Sequence, residues 1–322
     1  MSPPALRSLA TLCVLLAACG ADDSPTDAST PGDASTDGSA PSDTGAADDA
    51  ADDASVAPAP FFLGPEDRRA RLVAPAAHDG VTPLPLVFLL HGYTANSTLQ
   101  DALLGSTSAA HSRGFYLVLP EGTVDARGNQ FWNATNFCCD FNGSGVDDVA
   151  YLTSLLDEAE AVLPVDTARV YFTGHSNGGY MSYRMACELS SRITAIASLA
   201  GSDYKEDYQC EPTEGVSVLQ IHGTADATVL YGGNFAYPSA TDVVARWAGR
   251  AGCDPATITD LDAIDVDTAI PGAETTRQRW QTGCEPGLDA ELWSITAGGH
   301  IPVLDARAYG GLIADWLLTH VK

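Results

Sequence analysis

The chain is 322 residues long, 45% hydrophobic and 18% charged, which suits one large domain or two small ones and excludes collagen-like, coiled-coil and wholly disordered architectures. Sixteen Lys and Arg stand against 42 Asp and Glu, a net charge of −26 that would repel a phosphate backbone and disfavours nucleic acid as a partner. The one long apolar run lies at the N-terminus and is too short to span a bilayer as a mature helix.

Residues 1–18 carry a single basic side chain, Arg7, then an apolar stretch that closes on Leu16-Ala17-Ala18-Cys19-Gly20. This resembles a bacterial lipoprotein signal, in which Cys19 becomes the acylated first residue of the mature chain. An ordinary secretory signal cleaved nearby is the alternative, and export is common to both readings. Several acyl chains on one cysteine would tether the protein to a periplasmic or cell-surface membrane without spanning it. Residues 19–60 change composition to Asp, Ala, Ser, Thr, Pro and Gly, with ten Asp and no Glu, Lys or Arg. Such a segment cannot bury enough apolar surface to offset its ordering entropy, and it is expected to be a disordered acidic spacer. The catalytic domain is expected over 61–322, where 15 basic and 32 acidic residues leave a net charge of −17.

From residue 61 onward, short apolar and β-branched runs alternate with helical stretches. The pattern predicts strands at 71–73, 86–90 and 116–119, a helix at 146–162, a strand at 170–173 and a helix at 177–189. Strands follow at 193–199 and 216–221, a helix at 240–250, a strand at 291–296 and a last helix at 306–319. Alternation of this kind gives an α/β fold, a mostly parallel central sheet with helices on both faces. Met181, Met185 and Leu189 form a row on one helix and are expected to pack into the core.

Gly174-His175-Ser176-Asn177-Gly178 matches G-x-S-x-G, a weak pattern by itself in a chain with 30 glycines. Its context strengthens it, because a predicted strand runs straight into the motif and a predicted helix leaves it. Ser176 would then stand exposed at the C-terminal edge of the sheet as a candidate nucleophile. A serine hydroxyl needs a histidine base, which needs a carboxylate to fix its tautomer. Of the seven histidines, His78 and His111 lie upstream in a loop and near a helix end, and His320 lies where termini fray. His175 is expected to point away, and His91 and His222 to orient loops. His300, in a glycine-containing loop after the last strand, is therefore the candidate base. Asp226, in the loop leaving the strand at 216–221, is the candidate carboxylate; Asp242 is second choice, on a first helical turn, and Asp147 and Asp148 are expected to start a helix.

The backbone N–H groups of Asn177 and Tyr93 are candidate oxyanion donors, Gly92 letting the loop approach closely. Trp132 and Tyr93 are candidates for lining the substrate pocket. No cofactor or metal is called for, since Cys138 and Cys139 are adjacent and no zinc-type spacing accompanies them. Six cysteines after residue 60 suggest three disulfides in an exported protein, with Cys253 and Cys284 expected to pair around the hydrophilic stretch at 254–283. Oligomeric state is not encoded in any pattern found.

Taken together, Pro85-Leu86-Val87 with His91-Gly92, Trp132-Asn133-Ala134 with Cys138-Cys139, and Val146-Asp147-Asp148-Val149 resemble the polyhydroxybutyrate depolymerase and feruloyl esterase family of α/β-hydrolases. So do Gly174-His175-Ser176-Asn177-Gly178-Gly179, Cys187-Glu188, His222-Gly223-Thr224-Ala225-Asp226 and Gly299-His300, in the same order along the chain. The resemblance implies an exported serine esterase acting on polymer-linked esters, with Ser176, Asp226 and His300 as its triad. Two departures bear on substrate: Ile301-Pro302-Val303 replaces the family's Thr-Trp-Pro-Gly stretch, and Val229-Leu230-Tyr231 its Val-Pro-Tyr. No polymer-binding domain is seen after the catalytic one, which points toward soluble or surface-accessible esters. The rival readings are a serine peptidase on the same fold and a non-catalytic surface-binding lipoprotein.

Overall fold

A computed structural model describes residues 61–322; the expected signal segment 1–18, Cys19 and the spacer 19–60 lie outside the described residues. The first strands are β1 (Phe62–Leu63), β2 (Ala70–Val73) and β3 (Leu84–Leu90). Helices α1 (Ser97–Leu104) and α2 (Ser106–Arg113) lead to β4 (Tyr116–Leu119) and a small hairpin, β5 (Thr123–Val124) and β6 (Gln130–Phe131). Then come α3 (Asp148–Val162), β7 (Val165–His175), α4 (Asn177–Glu188), β8 (Ala195–Leu199) and β9 (Ser217–Gly223). The chain closes with α5 (Ala240–Arg250), β10 (Thr259–Ile264), β11 (Thr275–Trp280), β12 (Ala290–Ile295) and α6 (Ala306–Leu318).

Ten strands form one sheet in the order β1-β2-β4-β3-β7-β8-β9-β12-β11-β10. The six from β4 to β12 are mutually parallel, and two antiparallel strands extend each edge. Alternation along β3 shows why both faces must be covered: Leu86, Phe88 and Leu90 enter the core under α3, α4 and α5, while Val87 and Leu89 enter the core under α1, α2 and α6. Met181 and Met185 are fully buried in the first of these, as their spacing predicts. Polar side chains start the helices: Asn96, Asp147, Ser239 and Asp305 each accept a backbone N–H from the first turn of α1, α3, α5 and α6.

Seven elements escape the pattern reading: the two-residue strands β1, β5 and β6, and also α1, α2, β10 and β11. α1 and α2 are eight residues each, separated only by Gly105 at φ 67°, and α2 buries little more than Ser106, Ala109 and Ala110. No apolar stripe announces so short and polar a helix. β10 and β11 occupy the hydrophilic stretch at 254–283 and form the exposed edge of the sheet, so they carry no clean alternation either. Cys253 and Cys284 are bonded and close this hairpin; the other two disulfides are Cys138–Cys139 and Cys187–Cys210. His320 corrects an expectation, because it does not fray. It is 4% exposed, with Nε2 2.9 Å from Asp289 Oδ1 and Nδ1 3.0 Å from the Trp316 carbonyl, so the last residues are pinned to the sheet. Among the described residues no helix is long and apolar enough to cross a membrane.

Candidate active site

The strand β7 lies between β3 and β8 and runs without a break into α4. The corner residue Ser176 takes φ 55° and ψ −119°, a region that side-chain-bearing residues rarely enter. The glycines on either side are required by space: a Cβ on Gly174 would lie 2.6 Å from the Leu90 carbonyl oxygen, and one on Gly178 only 2.1 Å from it. Ser176 is further held by its own N–H, which donates to the Leu199 carbonyl at 2.8 Å. Its hydroxyl thereby stands half-exposed at the N-terminal, electropositive end of α4.

Strands β9 and β12 are parallel neighbours, so the loops leaving their C-terminal ends start side by side. The two loops are bonded to each other: the Ala225 N–H donates to the Gly298 carbonyl at 2.9 Å, and the Ala297 N–H to Thr224 Oγ1 at 2.8 Å. The first loop carries Asp226 and the second His300. His300 Nδ1 lies 2.7 Å from Asp226 Oδ2, and its Nε2 lies 2.9 Å from Ser176 Oγ. Asp226 Oδ1 accepts the N–H groups of Thr228 and Val229 at 2.8 and 2.9 Å, so the carboxylate is an acceptor on both oxygens and the His300 proton sits on Nδ1. Burial by itself would raise the Asp226 carboxyl; the bonds from His222 and His300 and the charge of His300 outweigh it and hold the group well below the usual carboxylate range. A carboxylate ionised at every working pH, aimed at an imidazole whose second nitrogen faces a hydroxyl, is an arrangement that can move a proton off that hydroxyl.

A pocket of ≈ 210 Å³ opens beside Ser176 and His300, with Gly92, Tyr93, Leu99 and Ile301 among its walls. Comparison with known proteins settles what kind of scaffold this is. No family model matches the chain. It is 25% identical over 240 residues to feruloyl esterase B of Piromyces equi, covering 70% of this chain and 41% of that one. It is 28% identical over 198 residues to the probable feruloyl esterase C of Aspergillus niger, covering 59% of this chain and 64% of that one. The chain thus spans less than two thirds of either relative. Among solved structures, the acetyl xylan esterase of Aspergillus awamori superposes with a TM-score of 0.56 at 16% identity, over 81% of this chain and 97% of that one. The chain has the α/β-hydrolase fold.

Tyr93 and Asn177, the two residues named for their backbone N–H groups, lie on the loop after β3 and at the first turn of α4. Among the described residues neither N–H donates to another backbone group. Gly92 is held at both ends: His91 Nδ1–H donates to the Gly92 carbonyl at 2.8 Å, and the Gly92 N–H donates to Gln100 Oε1 at 2.9 Å. His91 keeps Nε2 as an acceptor for the Gly122 N–H, which fixes its tautomer, and burial lowers its pKa. The Tyr93 ring lines the pocket, its hydroxyl donating to Asp125 Oδ2 at 3.0 Å.

Trp132 is a correction. It is fully buried, its indole N–H donating to the His91 carbonyl at 3.0 Å, its backbone N–H and carbonyl both bonded to the Asn177 side chain. A ring with no exposed surface cannot touch substrate; Trp132 is a strut between the Gly92 loop and α4. His175 is a second correction, since it does not point away. Its ring packs 4.8 Å from that of His300, and Nε2–H donates to the His300 carbonyl at 2.8 Å. Burial, and secondarily the adjacent His300, push its pKa down to about 4, so it is neutral in the folded state. His222 does orient a loop, as expected: Gln220 Nε2 donates to its Nδ1, and its Nε2–H donates to the Val229 carbonyl at 2.7 Å with Asp226 Oδ2 at 3.3 Å. Asp147 caps α3 and Asp242 sits in the first turn of α5, both away from the triad. Sequence reasoning missed Gln100 and the supporting role of His175 because neither has a motif; only their neighbours in space give them one. Among the described residues no cluster of His, Cys, Asp or Glu is placed to hold a metal ion.

Proposed function

We propose that this α/β-hydrolase is an exported serine carboxylesterase that cleaves ester groups carried by polysaccharides. The observation that carries the reading is the unbroken chain from Asp226 through His300 to Ser176, at 2.7 and 2.9 Å. The named activities of its relatives, feruloyl esterase and acetylxylan esterase, support the choice of ester and of polymer. In this reading His300 Nε2 takes the Ser176 proton as Oγ attacks the ester carbonyl, and the resulting imidazolium is stabilised by Asp226. The N–H groups of Tyr93 and Asn177 bind the tetrahedral oxyanion, each worth about 3 to 4 kcal/mol. His300 then gives its proton to the leaving alkoxide, and the same sequence with water releases the acid. The apolar walls given by Leu99 and Ile301 favour a hydrophobic acyl group. The three disulfides fit an oxidising compartment, and tethering through Cys19 would hold the enzyme at a membrane.

The decisive experiment is labelling with a fluorophosphonate. The native protein should label and Ser176→Ala should not; a folded native protein that fails to label would end the reading and favour a binding lipoprotein. A panel of acetyl, feruloyl and hydroxybutyryl esters beside p-nitroanilides then separates esterase from peptidase.

A further inference from the structure

We propose that the loop between β6 and α3 forms an aromatic platform for a neutral polysaccharide chain, which positions polymer-borne esters over Ser176. The inference rests on the ester-hydrolase reading of the site and adds a binding surface to it. The loop crosses directly beside the nucleophile: Cys138 Sγ lies 3.5 Å from Nδ2 of Asn177, the residue after Ser176. On one side of that crossing Phe137 meets Phe235 edge to face, with ring centroids 5.9 Å apart. On the other side Phe141 meets Tyr93, a pocket wall, edge to face at 5.3 Å. Phe137, Phe141 and Phe235 are 45%, 66% and 82% exposed, leaving apolar ring surface in water at each position. Three water-facing phenyl rings, one of them packed on a wall of the pocket beside Ser176, make a surface that lacks its occupant.

Charge and spacing select that occupant. The net charge of −17 over 61–322 repels anionic polymers and anionic membrane surfaces alike. Phe137 and Phe141 are four positions apart, at most about 14 Å of chain, the scale of a few sugar rings. Exposed Asn136, Asn142 and Ser144 flank them, so the rings are islands in a hydrogen-bonding surface and not one continuous apolar patch. A pyranose offers the matching pattern, C–H faces for the negative faces of aromatic rings and hydroxyls for the amides between them. A polyester offers carbonyl acceptors to the amide N–H groups but no hydroxyl donors for the amide oxygens, so it matches the surface only in part.

The test uses the full chain with sedimentation on insoluble neutral xylan, on amorphous polyhydroxybutyrate and on neither. Native protein should sediment with xylan. Phe235→Ala and the pair Phe137→Ala with Phe141→Ala should each weaken that binding roughly tenfold, and lower turnover of xylan-borne acetyl groups relative to p-nitrophenyl acetate by a similar factor. Val162→Ala, an exposed apolar residue at the opposite end of the sheet, should bind xylan as the native protein does. Circular dichroism and melting temperature establish that the variants are folded. Equal xylan binding by native and Phe variants, binding to polyester alone, or a dimer that dissociates in Phe235→Ala would overturn the platform. Loss of p-nitrophenyl acetate turnover in the native protein would instead overturn the reading of the site, with the sedimentation result still standing on its own.

Discussion

The Nε2–H of His175 donates to the carbonyl oxygen of His300 at 2.8 Å. The residue immediately before the candidate nucleophile in the chain thus holds the backbone of the candidate base, 125 positions later. Because that bond sets where the His300 ring sits against Ser176 Oγ, His175→Ala should lower kcat about 10- to 100-fold while KM changes less than about twofold. His175→Gln, which can still offer an N–H, should recover part of the loss. Steady-state kinetics on a small ester check both.

The same residue makes stability depend on pH. His175 is held near pKa 4 by burial, whereas an unfolded histidine titrates near 6.5. Between those values the unfolded chain binds the extra proton, so the neutral, buried ring contributes fully above about pH 6.5 and its contribution is lost as pH falls toward 4. The loss is on the order of 3 kcal/mol. Calorimetric melting temperatures should fall across that window, and fall less steeply in His175→Gln.

Asp226→Asn separates orientation from charge. The Asn oxygen can still accept from Thr228 and Val229, so the loop should keep its shape, but the pairing with His300 Nδ1–H is lost. The proposed mechanism predicts a fall of about 10⁴ in kcat, with KM nearly unchanged and the fold intact by circular dichroism. A variant retaining a tenth of native activity would remove Asp226 from the mechanism.

Trp132→Phe tests the strut. It keeps the ring volume and removes the indole N–H that satisfies the His91 carbonyl, leaving a buried acceptor unpaired at a cost of about 1 to 3 kcal/mol. Thermal or urea unfolding should show that loss, while the order of preference among acyl chain lengths stays as in the native protein, because the ring does not face the pocket.

Opening the disulfide between Cys253 and Cys284 as Cys253→Ser with Cys284→Ser frees a loop of 31 residues and should cost about 3 to 4 kcal/mol of stability. Activity of the folded fraction should survive, since the pair closes the edge hairpin and not the site. Urea denaturation measured beside ester turnover distinguishes the two quantities.

Much of the scaffold is legible from one-dimensional pattern because it is built of long, strongly periodic elements. The parallel strands and α3 to α6 sit where the apolar runs put them, within a few residues. The strand that runs into Gly174 and the helix that leaves Asn177 locate Ser176 because a corner between two such elements has few solutions. What escapes is what depends on partners distant in sequence. Trp132 and a pocket-lining aromatic look identical in a string of letters, and only the His91 carbonyl above its indole distinguishes them. As the variable position of the G-x-S-x-G motif His175 is expected to point away; the returning His300 loop, far along the chain, brings its partner to it. α1, α2 and the β10–β11 edge are missed for the opposite reason, having too little buried surface to imprint a period.

The bonds that lock the loop after β9 to the loop after β12 have a mechanical consequence. Carboxylate and imidazole are mounted on one rigid bracket, while the hydroxyl is mounted on another, the β7–α4 corner. The bond from His175 to the His300 carbonyl ties the bracket to the corner, so the gap between Nε2 and Oγ is set by both mountings together.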